Sequence, residues 1–287
     1  SKHPASYGHI HSSLCDAYYK LSEYAYSEEN LTKALDSCEK ALQIYSFEKY
    51  PLNYAEIQKT FGLASASIAR YRQAEDNLLH AINSFTAALK VYNADKYSLQ
   101  YITINMLIGD SYKSLSSYQQ KEKNLNNAIA AYMSTLNICG PDSYPGKYTL
   151  IKQRIGEAYE ALSENENTSD NLEKALQAFE ESLSGYADDK NSIEYAEVQE
   201  KTADISMKIF NLNNDDLLLY KAINSYLEAL KIKTYLEDPL DYASINHNLG
   251  NAYRRLSKIR DKYDNNKKAA DAYSEALKVY TYEAFPL

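Results

Sequence analysis

Apolar residues recur along this chain in two helical stripes, and the pair of stripes returns every 47 residues. The step is marked by Tyr7, Tyr54, Tyr101, Tyr148, Tyr195 and Tyr242, each three residues after Pro4, Pro51, Ser98, Pro145, Ser192 or Pro239. Six units follow without insertion or deletion, at 4–50, 51–97, 98–144, 145–191, 192–238 and 239–285. Positions within a unit are numbered from its Pro or Ser. The first stripe runs through positions 4, 7, 11, 15 and 18, spaced as one face of a helix. Position 7, for example, is Ile10, Ile57, Ile104, Ile151, Val198 and Ile245. It predicts helix A over about positions 3–19, and Pro at position 1 suits its start. The second stripe, through positions 28, 31, 35, 38, 39 and 42, predicts helix B over about 26–42. Position 31 is Ala in every unit.

Positions 20–25 are mostly polar, as in Glu164-Asn165-Glu166-Asn167-Thr168-Ser169, and their Asn, Asp and Ser suit caps for helix B. In the second unit Ile68 to Asn77 lacks breakers, so longer helices are expected there. Position 12 is always small: Cys15, Gly62, Gly109, Gly156, Ala203, Gly250. Small residues there and at positions 31 and 38 let two helices approach, and the rings of positions 15, 35 and 42 fill the space beside them. One hairpin cannot bury both faces, so each unit depends on its neighbour. The expected fold is all-α, a single solenoid of six antiparallel helix-turn-helix repeats spanning 1–287. The segment Cys139-Gly140-Pro141-Asp142-Ser143-Tyr144-Pro145-Gly146 is the only Gly/Pro-dense stretch, and a change of curvature is plausible there.

The run Leu249-Gly250-x-x-Tyr253 with Ala269-x-x-x-Tyr273-x-x-Ala276 resembles the tetratricopeptide repeat, in a variety longer than the family's usual unit of about 34 residues. The resemblance spans residues 4–285. It departs most in the fifth unit, with Thr202, Ala203 and Ser206 on helix A, and the family's Trp position holds polar residues such as His11 and Asn246. It implies a right-handed superhelix with helix A on the concave face, and a non-catalytic scaffold that binds a peptide or protein segment there; the alternatives are a self-associating structural array, or the regulatory arm of a signalling enzyme whose catalytic domain lies elsewhere.

By that resemblance, groove residues stand at positions 6, 9, 10, 13, 16 and 17. Toward the C-terminal end these are His247, Asn248, Asn251, Arg254 and Arg255, beside Lys201, Asp204 and Lys208. Asn side chains bind the main-chain amides of an extended peptide, and paired Arg residues bind carboxylates, so this end suits an acidic ligand. Leu63, Met106, Leu107 and Leu150 fall on the same positions and suggest an apolar docking patch. The family's carboxylate clamp needs Lys at position 9 with Asn at 13. Lys59 is followed by Leu63, and Asn251 is preceded by His247, so the usual clamp is missing.

Charge and chemistry narrow the rest. The net charge of −8 disfavours a nucleic-acid scaffold, and no apolar run suits a membrane span. No nucleotide-binding, metalloprotease or hydrolase motif occurs. His3, His9 and His11 cluster near one helix start without further metal ligands. Neither catalysis, metal nor cofactor is therefore expected. Cys15, Cys38 and Cys139 fall on core positions and read as small buried hydrophobes in a reducing, cytoplasmic compartment, without a disulfide framework. The sequons at Asn30 and Asn167 read as chance. Ending on Pro286-Leu287, the start of a further unit, the chain is expected to be a fragment of a longer array or to dock end to end with another copy.

Overall fold

In four of the six hairpins proline at position 1 opens the first helix. Its ring fixes φ, and the N–H it lacks would have no partner in the first turn. The computed structural model describes residues 3–164, 168–186 and 189–281. Residues 165–167, the sequon at Asn167 and Pro286-Leu287 lie outside them. The described residues form twelve α-helices and no strand.

The chain divides into two compact units, Ser1–Ser143 and Tyr144–Leu287, and the boundary falls in the Gly/Pro-dense segment. Each holds three antiparallel hairpins. In the first, α1 (Pro4–Leu21) pairs with α2 (Ser27–Leu42), α3 (Pro51–Ile68) with α4 (Ala74–Leu89), and α5 (Ser98–Leu115) with α6 (Lys121–Met133). In the second, α7 (Pro145–Leu162) pairs with α8 (Thr168–Ser184), α9 (Ile193–Asn213) with α10 (Asp216–Ala229), and α11 (Pro239–Leu256) with α12 (Lys262–Leu277). Successive hairpins within a unit pack second helix on first helix: α2 on α3, α4 on α5, α8 on α9 and α10 on α11.

The small residues sit where two helices touch. Ala34, Ala81, Ala128, Ala175, Ala222 and Ala269 are all buried. A Cβ on Gly109 would stand 2.3 Å from the Tyr132 ring, on Gly62 2.5 Å from Phe85, and on Gly250 2.6 Å from Tyr273. At these three glycines a side-chain carbon would overlap the ring, whereas the fifth hairpin accommodates Ala203 at the same position. The position-7 stripe is buried at Ile57, Ile104, Ile151, Val198 and Ile245, but Ile10 is exposed, as is Leu21. No described hairpin packs on that face of α1.

Two expectations need correction. The first concerns cysteine: Cys15 and Cys38 form a disulfide, with Cα atoms 5.1 Å apart. They occupy the positions of Gly109 and Tyr132, so the first hairpin joins its helices covalently where others press a ring onto glycine. Cys139 is buried and outside that bond.

The second concerns helix ends. The helix-A segments start at or near position 1 rather than 3. The helix-B segments start at position 24 or 25 and all end before 42. The turn between the two helices is set by a left-handed residue at position 23: Tyr26, Gln73, Gln120, Asn214 and Asp261 all have positive φ. None is glycine, and non-glycine residues resist that conformation. In four of these five hairpins what holds it is Asn at position 27. Asn30 donates to the Ala25 carbonyl (2.7 Å), Asn77 to Arg72 (2.9 Å), Asn124 to Gln119 (2.7 Å) and Asn265 to Arg260 (2.9 Å). This turn ends α3 at Ile68, so the second hairpin has no longer helices. The fifth has Leu218 in place of that Asn, and there α9 does run on, to Asn213. Of the expected side-chain caps on helix B, Asp215 accepts from the Leu217 N–H at 2.9 Å.

Candidate functional site

The free flank of a first helix is built from residues that packing does not consume. On α9 and α11, positions 10, 13 and 17 lie on one side, a helical turn apart. Asp204, Lys208, Asn248, Asn251, Arg254 and Arg255 line one cavity of about 500 Å³ in the second unit. Lys201 and His247 are not among its lining residues. His247 is exposed and tilts its ring against Tyr273, 5.9 Å away between centroids.

The floor comes from a phenol. Tyr226 on α10 donates its hydroxyl hydrogen to Asp204 at 2.5 Å, and Asn248 also points its amide at that carboxylate, at 3.4 Å. Burial raises the Asp204 carboxyl above its ordinary range, partly offset by the Tyr226 hydrogen bond and Lys201. Tyr273 donates to Asn251 at 2.9 Å. Asp204 is thus already engaged, and Asn251 keeps its amide donors.

The cations divide into two sorts. Lys201 and Lys208, read from sequence as free for a ligand, both reach Glu160 of α7, at 3.2 and 2.7 Å. Burial pushes the Glu160 carboxyl up, but Lys208 and Lys201 outweigh it and hold it low. Arg254 and Arg255 are exposed, and among the described residues neither guanidinium meets a carboxylate or other acceptor. Two unpaired guanidiniums beside Asn248 and Asn251 can accept a carboxylate or other anion.

Asp204 also acts on a second carboxylate, Glu200. Burial, with the charges of Asp204 and Asp241, raises Glu200 to about 7. Lys233, 5% exposed, stands at position 42, mostly Tyr elsewhere, and pairs with Asp241. The sequence reading missed Glu200, Met207, Asn211 and Tyr226. Asn211 stands one turn beyond Lys208, and that spacing was the available signal.

The apolar set disperses. Leu63 and Leu107 line a cavity of about 460 Å³ in the first unit. Met106 is buried, 7% exposed. It is therefore no part of an exposed patch. Leu150 belongs to the second unit and is exposed. His3, His9 and His11 form no metal site, and no cluster of metal-ligating side chains occurs among the described residues. No described helix is long and apolar enough to cross a membrane.

No family model matches the chain, and no curated protein matches it in sequence. Solved structures do. The chain is similar to BtubC (BKLC) from P. vanneervenii at 16% identity and TM-score 0.61, covering 88% of this chain and 89% of that one. It is similar to the apo form of RapI at 13% identity and TM-score 0.58, covering 92% and 97%. It is also similar to PilF of Pseudomonas aeruginosa at 17% identity and TM-score 0.51, covering 96% of each. At these identities the likeness is one of fold: the chain has a tetratricopeptide-like helical-repeat architecture.

Proposed function

We propose that this chain is a non-catalytic interaction scaffold of the long-period tetratricopeptide type, and that it binds an acidic protein segment along α9 and α11. The observation that carries this reading is the pair Arg254 and Arg255. Both are exposed and unpaired among the described residues, and both line the cavity that Asn248 and Asn251 share. Some cations on the solvated helix faces of this chain are matched to a carboxylate four residues away, as Lys33 is to Glu29 and Lys174 to Asp170. Two adjacent cations without that match keep their full charge for a partner. Asn251, whose oxygen takes the Tyr273 hydroxyl, offers amide donors, and Asn248, whose amide points at Asp204, offers its oxygen to an extended main chain.

The reading includes no catalysis, cofactor, metal, nucleic acid or membrane. An array of acidic and basic peptides, probed with the purified chain, tests it. Acidic peptides bind, and Arg254→Ala with Arg255→Ala weakens them by about tenfold or more, with strong salt dependence. Unchanged binding by the double variant, or equal binding of basic peptides, overturns it.

A further inference from the structure

Two columns of the repeat are polar with one exception each. Position 13 reads Asp16, Leu63, Asp110, Glu157, Asp204 and Asn251. Position 10 reads Ser13, Thr60, Leu107, Arg154, Lys201 and Asn248. The exceptions, Leu63 on α3 and Leu107 on α5, lie in successive hairpins and line the same cavity of about 460 Å³.

The floor of that cavity departs in step. In three hairpins the position-35 phenol donates to the position-13 side chain: Tyr132 to Asp110, Tyr226 to Asp204 and Tyr273 to Asn251. In the second hairpin both partners are apolar. Phe85 has no hydroxyl and Leu63 no acceptor, so this alone among the described hairpins presents a wholly apolar pair here. Neither change is needed for packing, because the polar pair fits the same backbone in neighbouring hairpins.

The rim has the opposite character. Ser114 and Ser117 on and after α5 are exposed. Arg70 is the cavity's one lining cation, exposed and without an ion pair among the described residues. Asp110 already receives the Tyr132 hydroxyl. An apolar floor takes a side chain, a row of hydroxyls takes main-chain amides, and a lone guanidinium takes a carboxylate.

We infer that this cavity is the anchor pocket for an extended peptide. An aliphatic or aromatic side chain seats on Leu63, Leu107 and Phe85, and a neighbouring acidic residue pairs with Arg70. The inference rests on the scaffold reading above but concerns a different unit and a different determinant. A bare alkyl carboxylate would satisfy the floor and Arg70 but leave the serine row without amides, which favours the peptide.

The test uses synthetic acidic peptides with one central residue varied among Leu, Phe, Ala and Lys, flanked by Asp or Asn, with decanoate as a separate arm. Fluorescence anisotropy reads binding to the full chain and to three variants. Leu63→Asp with Phe85→Tyr installs the polar pair of the third hairpin, so it is expected to fold, and thermal unfolding checks this. It should lose the preference for Leu or Phe over Ala, which is expected to be about tenfold for the native chain. Arg70→Gln should abolish only the preference for Asp over Asn. Arg254→Ala with Arg255→Ala should leave both preferences in place.

A folded Leu63→Asp, Phe85→Tyr variant that retains the Leu preference overturns the inference. So does a native chain that binds acidic peptides without regard to the central residue, a result that leaves the Arg254–Arg255 reading standing. Decanoate binding with peptide indifference also overturns it. Loss of peptide binding only through Arg254 and Arg255 would place all recognition in the second unit and equally overturn it.

Discussion

The Tyr226 hydroxyl lies 2.5 Å from Asp204, twenty-two residues earlier in the chain, and it joins α10 to the exposed flank of α9. The same bond recurs from Tyr132 to Asp110 at 2.7 Å and from Tyr273 to Asn251 at 2.9 Å. It lets a ring packed on a small residue end in a hydrogen bond at the surface. Burial raises the Tyr226 phenol well above its ordinary range, and the charge of Asp204 adds to this, so it stays a donor at all working pH. Tyr226→Phe removes the donor and leaves a partly buried carboxylate short of a partner. It should cost about 1–3 kcal/mol in urea unfolding. Adding Asp204→Leu, the solution of the second hairpin, should recover part of that loss.

The Cys15–Cys38 bond closes a separation of 23 residues. Loop-closure arguments give about 3 kcal/mol for such a link. Reductant should therefore lower the midpoint of unfolding, and thiol counting before reduction should find Cys139 alone reactive in the denatured chain. Cys15→Gly with Cys38→Tyr rebuilds the ring-on-glycine contact, and Asp16 stands ready where Asp110 accepts the Tyr132 hydroxyl. That variant should unfold at the same midpoint with or without reductant.

Glu200 gives the second unit a pH dependence of definite sign. Its carboxyl titrates near 7 in the folded chain, against an ordinary value of 4.5. The folded state therefore holds the proton more tightly than the unfolded one. The stabilising contribution is full below about pH 4.5 and is lost as pH rises through 7. Glu200→Gln removes this dependence. Its unfolding midpoint should exceed that of the native chain at pH 8 and approach it at pH 5.

The glycines differ in a graded way. A methyl on Gly109 would meet the Tyr132 ring at 2.3 Å, on Gly156 the Phe179 ring at 3.0 Å, and on Gly140 nothing within 4 Å. Gly109→Ala should cost about 1–3 kcal/mol, Gly156→Ala less, and Gly140→Ala almost nothing, measured by thermal unfolding.

The hairpins were legible in the sequence because the repeat aligns unlike residues in like environments. Ala at position 31 can be read as a close contact from six copies, and all six are buried. Helix ends were less legible, since the apolar stripe fades before the backbone turns. The turn is set instead by Asn at position 27, whose column, Asn30, Asn77, Asn124, Asn171 and Asn265, was visible but lies inside the polar part of the pattern. Asn124→Ala should test this by destabilising the first unit by about 1 kcal/mol. The disulfide was hidden for a different reason. A buried small residue is what position 12 always carries, so Cys15 matched the column, and only its partner Cys38 broke the ring column. At the candidate site, residue identity told which side chains face outward. It could not tell that Glu160 engages Lys201 and Lys208, because that bond spans two hairpins.

The most direct test of the account is hydrogen exchange of the chain with and without an acidic peptide. Protection should rise over α9 and α11, centred on Asn248 to Arg255, and should vanish in Arg254→Glu with Arg255→Glu. Protection confined to α8, α10 and α12, or the same protection in that variant, would contradict it.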